Sequence, residues 1–214
     1  MLCTAHNAIL EAWYPGEEGG TAIAETLAGD NNPGGRLPVT FYASLDQLPP
    51  FDDYSMRNRT YRYFSGRPLY PFGYGLSYAD FAYSNLKLSS ERLQVGESLT
   101  VEGDVRNTAK IAGDEVVELY LGCPAGRVCF APPTTPSSPV LLRELRGFTR
   151  VHLAPGETRH VTFVLTPRDL SQVTEKGEHM VLPGHFAVMM GTSLAKGPHV
   201  TAEFDIAGSQ VLPR

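Results

Sequence analysis

The chain has 214 residues, and 42% of them are hydrophobic, enough to build a core in one large domain or two small ones. Its formal net charge is −5, with acidic and basic residues mixed along the chain. No basic patch or polybasic segment stands out, so neither nucleic acid nor a membrane surface is predicted as a partner. No apolar run approaches the roughly 20 residues that span a bilayer.

The first segment, residues 8–42, combines strand, turn and helix signals. The apolar run AILEAWY, residues 8–14, predicts a strand of the kind that is buried in a parallel sheet. Thr21 is the predicted N-cap of a small alanine-rich helix that ends at Gly29. Residues 37–42 resume an extended run. A strand, loop and helix in this order place the loop PGEEGG at the carboxyl edge of an α/β sheet, where ligands usually bind.

The composition changes in residues 46–78, which are rich in Pro, Gly, Tyr and Arg. Such a segment predicts little regular structure, but disordered segments are poor in aromatic residues. We therefore expect an ordered linker that packs against its neighbours. Arg59 and Arg62 lie beside tyrosines, where they could stack on rings or pair with carboxylates and clamp two domains together.

From residue 79 onward the hydrophobic period is two and turn signals recur at regular spacing, which predicts a β-sandwich. Turns are predicted at APGE, residues 154–157, and at LPG, residues 182–184. The Pro-, Ser- and Thr-rich stretch 123–139 predicts a long excursion between two strands. Seven or eight strands are expected, within residues 81–88, 98–107, 115–121, 141–148 leading into 150–153, 159–165, 179–182, 185–191 and 199–206.

The cysteines and histidines do not predict a metal or cofactor site. Three cysteines without a CxxC pair or a nearby His cluster are too few and too irregular for zinc or for a disulfide framework. Cys123 and Cys129 could close a small loop in an oxidising compartment, or remain two free thiols. No nucleophile motif accompanies the six histidines, and the five on sandwich strands are expected to face solvent or make local hydrogen bonds.

Three motifs carry a resemblance to a known family. The end of the α/β-sandwich domain of glycoside hydrolase family 3 is similar to the first motif, EAWYPGEEGGTAIAETLAGDNNPGGRLPVTFY. The linker of that family is similar to the second motif, YRYFSGRPLYPFGYGLSY. The third motif resembles the family's fibronectin type III-like domain and has two parts, AGDEVVELYL and LRELRGFTRVHLAPGETRHVTFVLTPRDLS. The chain therefore resembles the carboxyl-terminal portion of a β-xylosidase or β-glucosidase, and DYSMRNRTYRYF suggests the xylosidase branch most.

The resemblance implies a mainly β chain with three parts. Residues 1–45 would be the carboxyl-terminal remnant of the α/β-sandwich domain and residues 46–78 the aromatic linker. Residues 79–207 would be the fibronectin type III-like, that is immunoglobulin-like, β-sandwich. Because one strand and one helix cannot bury both faces of a sheet, the rest of that sheet comes from another polypeptide or the chain is truncated. We favour truncation as the interpretation.

The resemblance also implies that the chemistry lies outside this chain. In the family the nucleophile is an Asp on an amino-terminal TIM barrel, and the acid/base is a Glu earlier in the α/β domain. A retaining glycosidase needs two carboxyl groups about 5 Å apart, and this chain offers no matched pair. No catalytic residue is therefore assigned, and the isolated chain is expected to be inactive. An oligosaccharide ending in β-linked xylose or glucose would be the substrate of the intact enzyme only.

Glu17 and Glu18 are the candidate substrate-binding residues of such an intact enzyme. Carboxylates are favourable at a helix start because unpaired N–H groups and the positive end of the dipole lie there. Adjacent residues point in different directions, so the two are not expected to form a dyad. Either they stabilise the helix, or one of them lines a sugar subsite. Asp52 and Asp53 are expected in solvent, with contact to substrate as the alternative, and Trp13 is expected in the core rather than stacked on a sugar.

Two further hypotheses concern the role of the chain. It could be a freestanding sandwich module that binds polysaccharide or a protein, using the Pro-rich excursion and the linker aromatics. It could also complement a separately encoded barrel, with the apolar faces of the first segment as the interface. The first residues, MLCTAHNAIL, contain no export signal, while a secreted or periplasmic parent enzyme remains compatible with the resemblance.

Overall fold

The described part of this computed structural model comprises residues 8–124, 141–174, 176–193 and 197–213. From Phe81 onward it is built almost entirely of strands. They are β1 (Phe81–Leu88), β2 (Arg92–Gln94), β3 (Leu99–Asn107), β4 (Gly113–Gly122), β5 (Arg143–Leu153), β6 (Thr158–Leu165), β7 (Gln172–Val173), β8 (His179–Val181), β9 (Gly184–Gly191), β10 (His199–Ala207) and β11 (Gln210–Val211).

These strands form two main sheets and one small sheet. One main sheet has the order β1-β3-β6, and the other has the order β2-β10-β9-β4-β5. Neighbours within both sheets are antiparallel except β2, which runs parallel to β10. The small sheet has the order β11-β8-β7. The predicted mainly β, sandwich-type fold is confirmed.

The core lies between the two main sheets, as the alternation of residues along β3 and β4 shows. Leu99, Val101 and Val105 on β3 are fully buried, while Thr100, Glu102 and Asp104 are partly exposed. Successive strand residues point to opposite faces, so every second side chain enters the core. Burying each such side chain contributes about 1.5–3 kcal/mol. From the facing sheet the fully or nearly fully buried members are Val117, Leu119, Leu121, Phe186, Val188, Met190 and Phe204.

Most strand predictions are confirmed, with differences at irregular positions. The two segments expected at 141–148 and 150–153 form the single strand β5, which accommodates a register shift opposite Leu119 and Tyr120. At that shift Arg146 is the extra residue on β5, as in a β-bulge. The strands β2, β7 and β11 escaped prediction because two or three residues are too few to display a period.

The two predicted turns have different outcomes. At residues 154–157 the turn is present, with Gly156 at φ 76° and a hydrogen bond from Glu157 N–H to the Ala154 carbonyl. At residues 182–184 no turn is present, and Gly184 is the first residue of β9 instead of a positive-φ turn residue. The predicted excursion at 123–139 falls mainly outside the described residues.

The first segment differs from its prediction at two places. Residues 8–14 are not a strand, because no described residue pairs with them and an isolated strand has nothing to bond its backbone. The helix, α1 (Gly19–Ala28), begins before Thr21, and Glu18 takes the N-cap position. Its end at Gly29 is as predicted: the backbone is left-handed, and its N–H donates to the carbonyls of Glu25 and Thr26.

The linker is ordered and packed, as predicted. It contains one 3₁₀ turn, Leu45–Gln47, and one helical turn, α2 (Thr60–Tyr63). The expected extended run 37–42 pairs with the end of the linker: Leu37 N–H donates to the Tyr74 carbonyl, and Phe41 bridges to Tyr70. In the described residues the longest helix is α1, which is far too short to cross a membrane.

Candidate functional site

Glu17 and Glu18 lie exposed at the start of α1. The side chain of Glu18 makes no capping hydrogen bond to the helix backbone and instead accepts one from the hydroxyl of Thr21, at 3.2 Å. Neither carboxylate takes part in an ion pair within the described residues. A role for either in binding a sugar stays a prediction.

The other sequence candidates are also peripheral. Trp13 is 51% exposed and has a left-handed backbone, with φ 51°, so its predicted core position is wrong. The reason is the missing strand, since no sheet covers it. Asp52 is exposed as expected. Asp53 is half-buried and accepts a hydrogen bond from Ser55 N–H at 2.9 Å. Hydrogen bonds from Ser55 lower the pKa of Asp53, so this carboxylate holds a local turn.

Two buried acids on β4 form the chemically distinctive feature that the sequence did not reveal. Glu115 is fully buried and pairs with Arg36, whose side chain is 5% exposed. Its other oxygen accepts a hydrogen bond from the Tyr83 hydroxyl at 2.6 Å. Burial raises the pKa of Glu115, and both Arg36 and Tyr83 oppose that rise. The sequence signal was a charge at an inward position of the apolar run EVVELYL.

Glu118 lies on the opposite face of β4, beneath the linker. It accepts a hydrogen bond from the Tyr120 hydroxyl at 2.6 Å. Burial raises the pKa of Glu118 to about 7, although the bond from Tyr120 opposes the rise. Gly73 of the linker lies directly over this carboxylate at φ 77°, and a Cβ there would overlap Glu118 Oε2. Only glycine allows the linker to approach so closely.

These two glutamates are not arranged as a glycosidase dyad. They are three residues apart on one strand, so their side chains leave opposite faces of the sheet. Each is engaged by a tyrosine hydroxyl. A retaining pair must face one substrate bond from two sides, which this arrangement does not allow. Glu115 therefore ties Arg36 of the first segment to the sandwich, while Glu118 bonds Tyr120 on its own strand beneath Gly73 of the linker.

The predicted arginine clamp is formed by Arg62 but not by Arg59. Arg62 pairs with Glu144 on β5 at 2.6 Å, and its guanidinium lies 5.3 Å from the ring centroid of Tyr63. Glu144 is shared with Arg146, also at 2.6 Å. Arg59 instead donates to backbone carbonyls of residues 50 and 53 and braces the linker's own loop.

A small half-open cleft lies where the linker meets β4 and β5. Tyr61 and Phe72 stack with ring centroids 4.2 Å apart, and both meet Tyr120 edge-on. Leu145 N–H donates to the Tyr61 hydroxyl at 3.1 Å, which fixes that ring. The cleft therefore has rigid aromatic walls. Among the described residues its lining is Thr40, Tyr61, Phe64, Gly66, Pro68, Pro71, Phe72, Tyr120 and Arg143.

The histidines make local hydrogen bonds, as predicted. His152, His160 and His185 each pair with an aspartate on the neighbouring strand at 2.7–2.8 Å. Asp205 and Glu203 raise the pKa of His185. Within the described ranges no three His, Cys, Asp or Glu side chains are grouped as a metal site. Cys123 is disulfide-bonded, and the other two cysteines, Cys3 and Cys129, lie outside the described residues.

Two family models match the sequence. Residues 3–78 match the glycosyl hydrolase family 3 C-terminal domain, and residues 115–194 match a fibronectin type III-like domain. The match of the first model to residues 3–78 explains why both helices and the linker occur together ahead of the sandwich.

The chain is similar to proteins and structures of the same kind. It is 42% identical over 87% of its length to a xylan 1,4-beta-xylosidase of Xylanibacter ruminicola, of which it covers 20%. It is 36% identical over 89% of its length to a periplasmic beta-glucosidase of Salmonella typhimurium, of which it covers 25%. The chain also matches the solved structure of beta-glucosidase 3B from Thermotoga neapolitana in complex with alpha-D-glucose, with a TM-score of 0.78 and 29% sequence identity. This match includes 94% of the chain and 28% of that structure. The chain thus spans about a quarter of the length of these relatives.

Replacing Arg36 with Met should destabilise the chain strongly. Glu115 would remain buried without its cation, and breaking a buried ion pair in this way costs about 3–5 kcal/mol. The free energy of unfolding of the full chain in urea measures the loss. Arg150→Met is the matched control, because Arg150 pairs with Asp114 at 2.5 Å but its side chain is 62% exposed. An exposed pair contributes about 0–1 kcal/mol, so equal losses in the two variants would contradict the buried role of Arg36.

Glu118 should make the chain less stable as the pH rises from about 4.5 to about 7. Its folded-state pKa is about 7 and its ordinary value is 4.5, so between them the folded chain keeps a proton that the unfolded chain has released. The free energy of unfolding therefore falls with rising pH, by about 3 kcal/mol over the interval.

The pH effect is isolated by subtracting the unfolding free energy of Glu118→Gln from that of the unchanged chain at each pH. The difference should decline across the interval. Glu91→Gln, which changes an exposed carboxylate, should give a flat difference. A flat difference for Glu118→Gln would refute the assignment.

Proposed function

Because the chain belongs to glycoside hydrolase family 3, as a carboxyl-terminal portion with its fibronectin type III-like domain, we propose that it has a structural, non-catalytic role in a β-glycosidase. The proposed parent reaction is the hydrolysis of terminal β-linked xylose or glucose from oligosaccharides, with retention. The names of the relatives, a β-xylosidase and a β-glucosidase among them, support this substrate class. We also propose the division into residues 1–45, 46–78 and 79–207.

The observation that carries the proposal is an exposed apolar surface on residues 8–56. Of the eighteen large apolar side chains that are exposed among the described residues, eleven belong to this stretch. Leu27 on α1 is 70% exposed, and Leu45 is 84% exposed. Contiguous apolar surfaces on soluble proteins mark places where another protein surface packs. The occupant that we propose is the barrel and the remaining α/β part of the family's enzyme.

The acidic residues support a non-catalytic role. The two buried carboxylates, Glu115 and Glu118, are each used in structural bonds on opposite faces of β4. Glu17 and Glu18 are exposed next to each other at the surface that we propose for docking. In an intact enzyme we propose that one of them lines a sugar subsite.

The sandwich aromatics favour this role over a freestanding polysaccharide-binding module. Such a module presents a row of exposed rings to a sugar chain. Among the described sandwich residues Tyr83, Tyr120, Phe186 and Phe204 are buried, whereas Phe148 is 69% exposed and stands alone. The rings are thus used mainly for packing.

The purified chain should release no nitrophenol above the blank from aryl β-xyloside or aryl β-glucoside. The physical reason is that hydrolysis needs an acid and a nucleophile facing one bond. The release of nitrophenol over several hours at high protein concentration is the measurement. Turnover that Glu17→Gln removes and the sandwich variant Glu91→Gln leaves intact would overturn the non-catalytic role.

The apolar surface should bind the rest of the enzyme. We expect the chain to co-purify with the part of the Xylanibacter ruminicola protein that lies outside the matched region when the two are co-expressed. Leu27→Asp should reduce the recovered complex at least about tenfold, since a charge in an apolar interface costs more than about 1.4 kcal/mol.

Val164→Asp is the matched control for docking, because Val164 is also more than half exposed but lies on strand β6 of the sandwich. It should leave the recovery of the complex unchanged. Failure of the unchanged chain to co-purify, or an equal loss in both variants, would count against the proposed interface.

A further inference from the structure

The cleft between the linker and the sandwich contains two polar side-chain groups that have no partner among the described residues. The hydroxyl oxygen of Thr40 is buried and makes no hydrogen bond. A buried polar group left unsatisfied costs about 1–3 kcal/mol, so such groups normally have a partner in protein, solvent or ligand. The Thr40 residue lines the cleft, so a bound group there could satisfy its hydroxyl.

Arg143 is the second group. Three other arginines near this interface, Arg36, Arg62 and Arg146, each pair with a glutamate. The guanidinium of Arg143, by contrast, has no ion pair or hydrogen bond within the described part of the chain, although the residue is half-buried on β5. Burial of its guanidinium lowers the pKa of Arg143. A guanidinium remains charged in proteins, so it lies in the cleft as an uncompensated cation.

The strand register makes room for this cation. Arg143 lies directly opposite Gly122 on β4, and a Cβ at Gly122 would come within 3.3 Å of the Arg143 Cβ. Tyr120 lines the same cleft, but its hydroxyl already donates to Glu118 and cannot also donate to a bound ligand. None of the described residues that line the cleft is acidic. An anion in the cleft would therefore meet a cation and a hydroxyl without a competing carboxylate in the wall.

We propose that this cleft binds a small carboxylate, with the guanidinium of Arg143 as its ion-pair partner and the Thr40 hydroxyl as a second donor. The planar fork of arginine matches the two oxygens of a carboxylate. The rings of Tyr61 and Phe72 and the neighbouring prolines accept the carbon skeleton and reduce the local screening of charge. The carboxylate belongs either to a short organic acid or to a uronic acid sugar. This site does not depend on the proposed role in glycoside hydrolysis.

Isothermal titration of the full 214-residue chain tests the proposal. The ligands are glucuronate, acetate and butyrate, with the methyl ester of glucuronic acid and glucose as uncharged controls. Glucuronate or the short acids should bind, and the uncharged compounds should bind at least about tenfold more weakly, because they lose the ion pair. Binding of glucuronate alone identifies an acidic sugar as the source, and equal binding of the short acids identifies a free acid.

Three variants test the assignment of residues. Arg143→Gln should weaken carboxylate binding at least about tenfold, and Arg143→Lys should weaken it less because the charge remains without the fork. Thr40→Val keeps the shape and removes the donor, so a loss of about three- to tenfold is expected. Arg150→Gln, at an exposed arginine on the same strand, should leave the affinity unchanged. Circular dichroism and the melting temperature establish that each variant is folded.

The proposal is overturned by any of three results. These are equal affinity for glucuronate and its methyl ester, unchanged affinity in both Arg143 variants, and no heat of binding at tens of millimolar carboxylate for a chain that is folded. None of them bears on the glycosidase assay or on co-purification, so failure here is distinguishable from failure of the proposed structural role.

Discussion

The buried ion pair between Arg36 and Glu115 joins three parts of the chain that are distant in sequence. Arg36 belongs to the segment after α1, Glu115 to β4, and Tyr83, which bonds the second oxygen of Glu115, to β1. Charges removed from water are tolerated only when both partners and the remaining hydrogen bonds are in place. The position of Arg36 over the sandwich is therefore tightly constrained, and the linker must follow it. Gly75 passes so close to the Gly35 carbonyl that a side chain there would overlap it.

The parts of the molecule differ in how completely they bury their apolar residues. The sandwich is closed around its own core, whereas the first segment and the early linker leave large apolar side chains in solvent. The two halves of the linker differ in the same way. Its early half is exposed, and its later half packs on β4 and β5 through Tyr61, Phe72 and Arg62. This gradient fits a portion of a larger family 3 protein in which the sandwich is a stable base and the first segment meets the remaining domains.

The sequence predicted what depends on local period and missed what depends on distant partners. The strands of the sandwich follow from alternation, and the end of α1 follows from Gly29, since each signal lies within a few neighbouring residues. Residues 8–14 have the composition of a buried strand, but a strand requires neighbours to bond its backbone. The partners of Glu115 and Glu118 cannot be read from EVVELYL, because Glu115 pairs with Arg36, 79 residues away, and Glu118 is covered at Gly73. The cleft likewise depends on contacts between elements that no short window contains.

The packing of the linker has a mechanical consequence. The linker is bonded to the sandwich through Arg62, which pairs with Glu144, and through the Tyr61 hydroxyl, while Gly73 lies close against Glu118. Just ahead of the linker, Arg36 pairs with Glu115. A tether attached only at its ends would let the sandwich swing freely, but this one behaves as a strut. Any displacement of the sandwich would be transmitted as a rigid motion to the base of α1 and to the loop PGEEGG ahead of it. The orientation of that loop is thus set by a β-domain that lies more than sixty residues further along the chain.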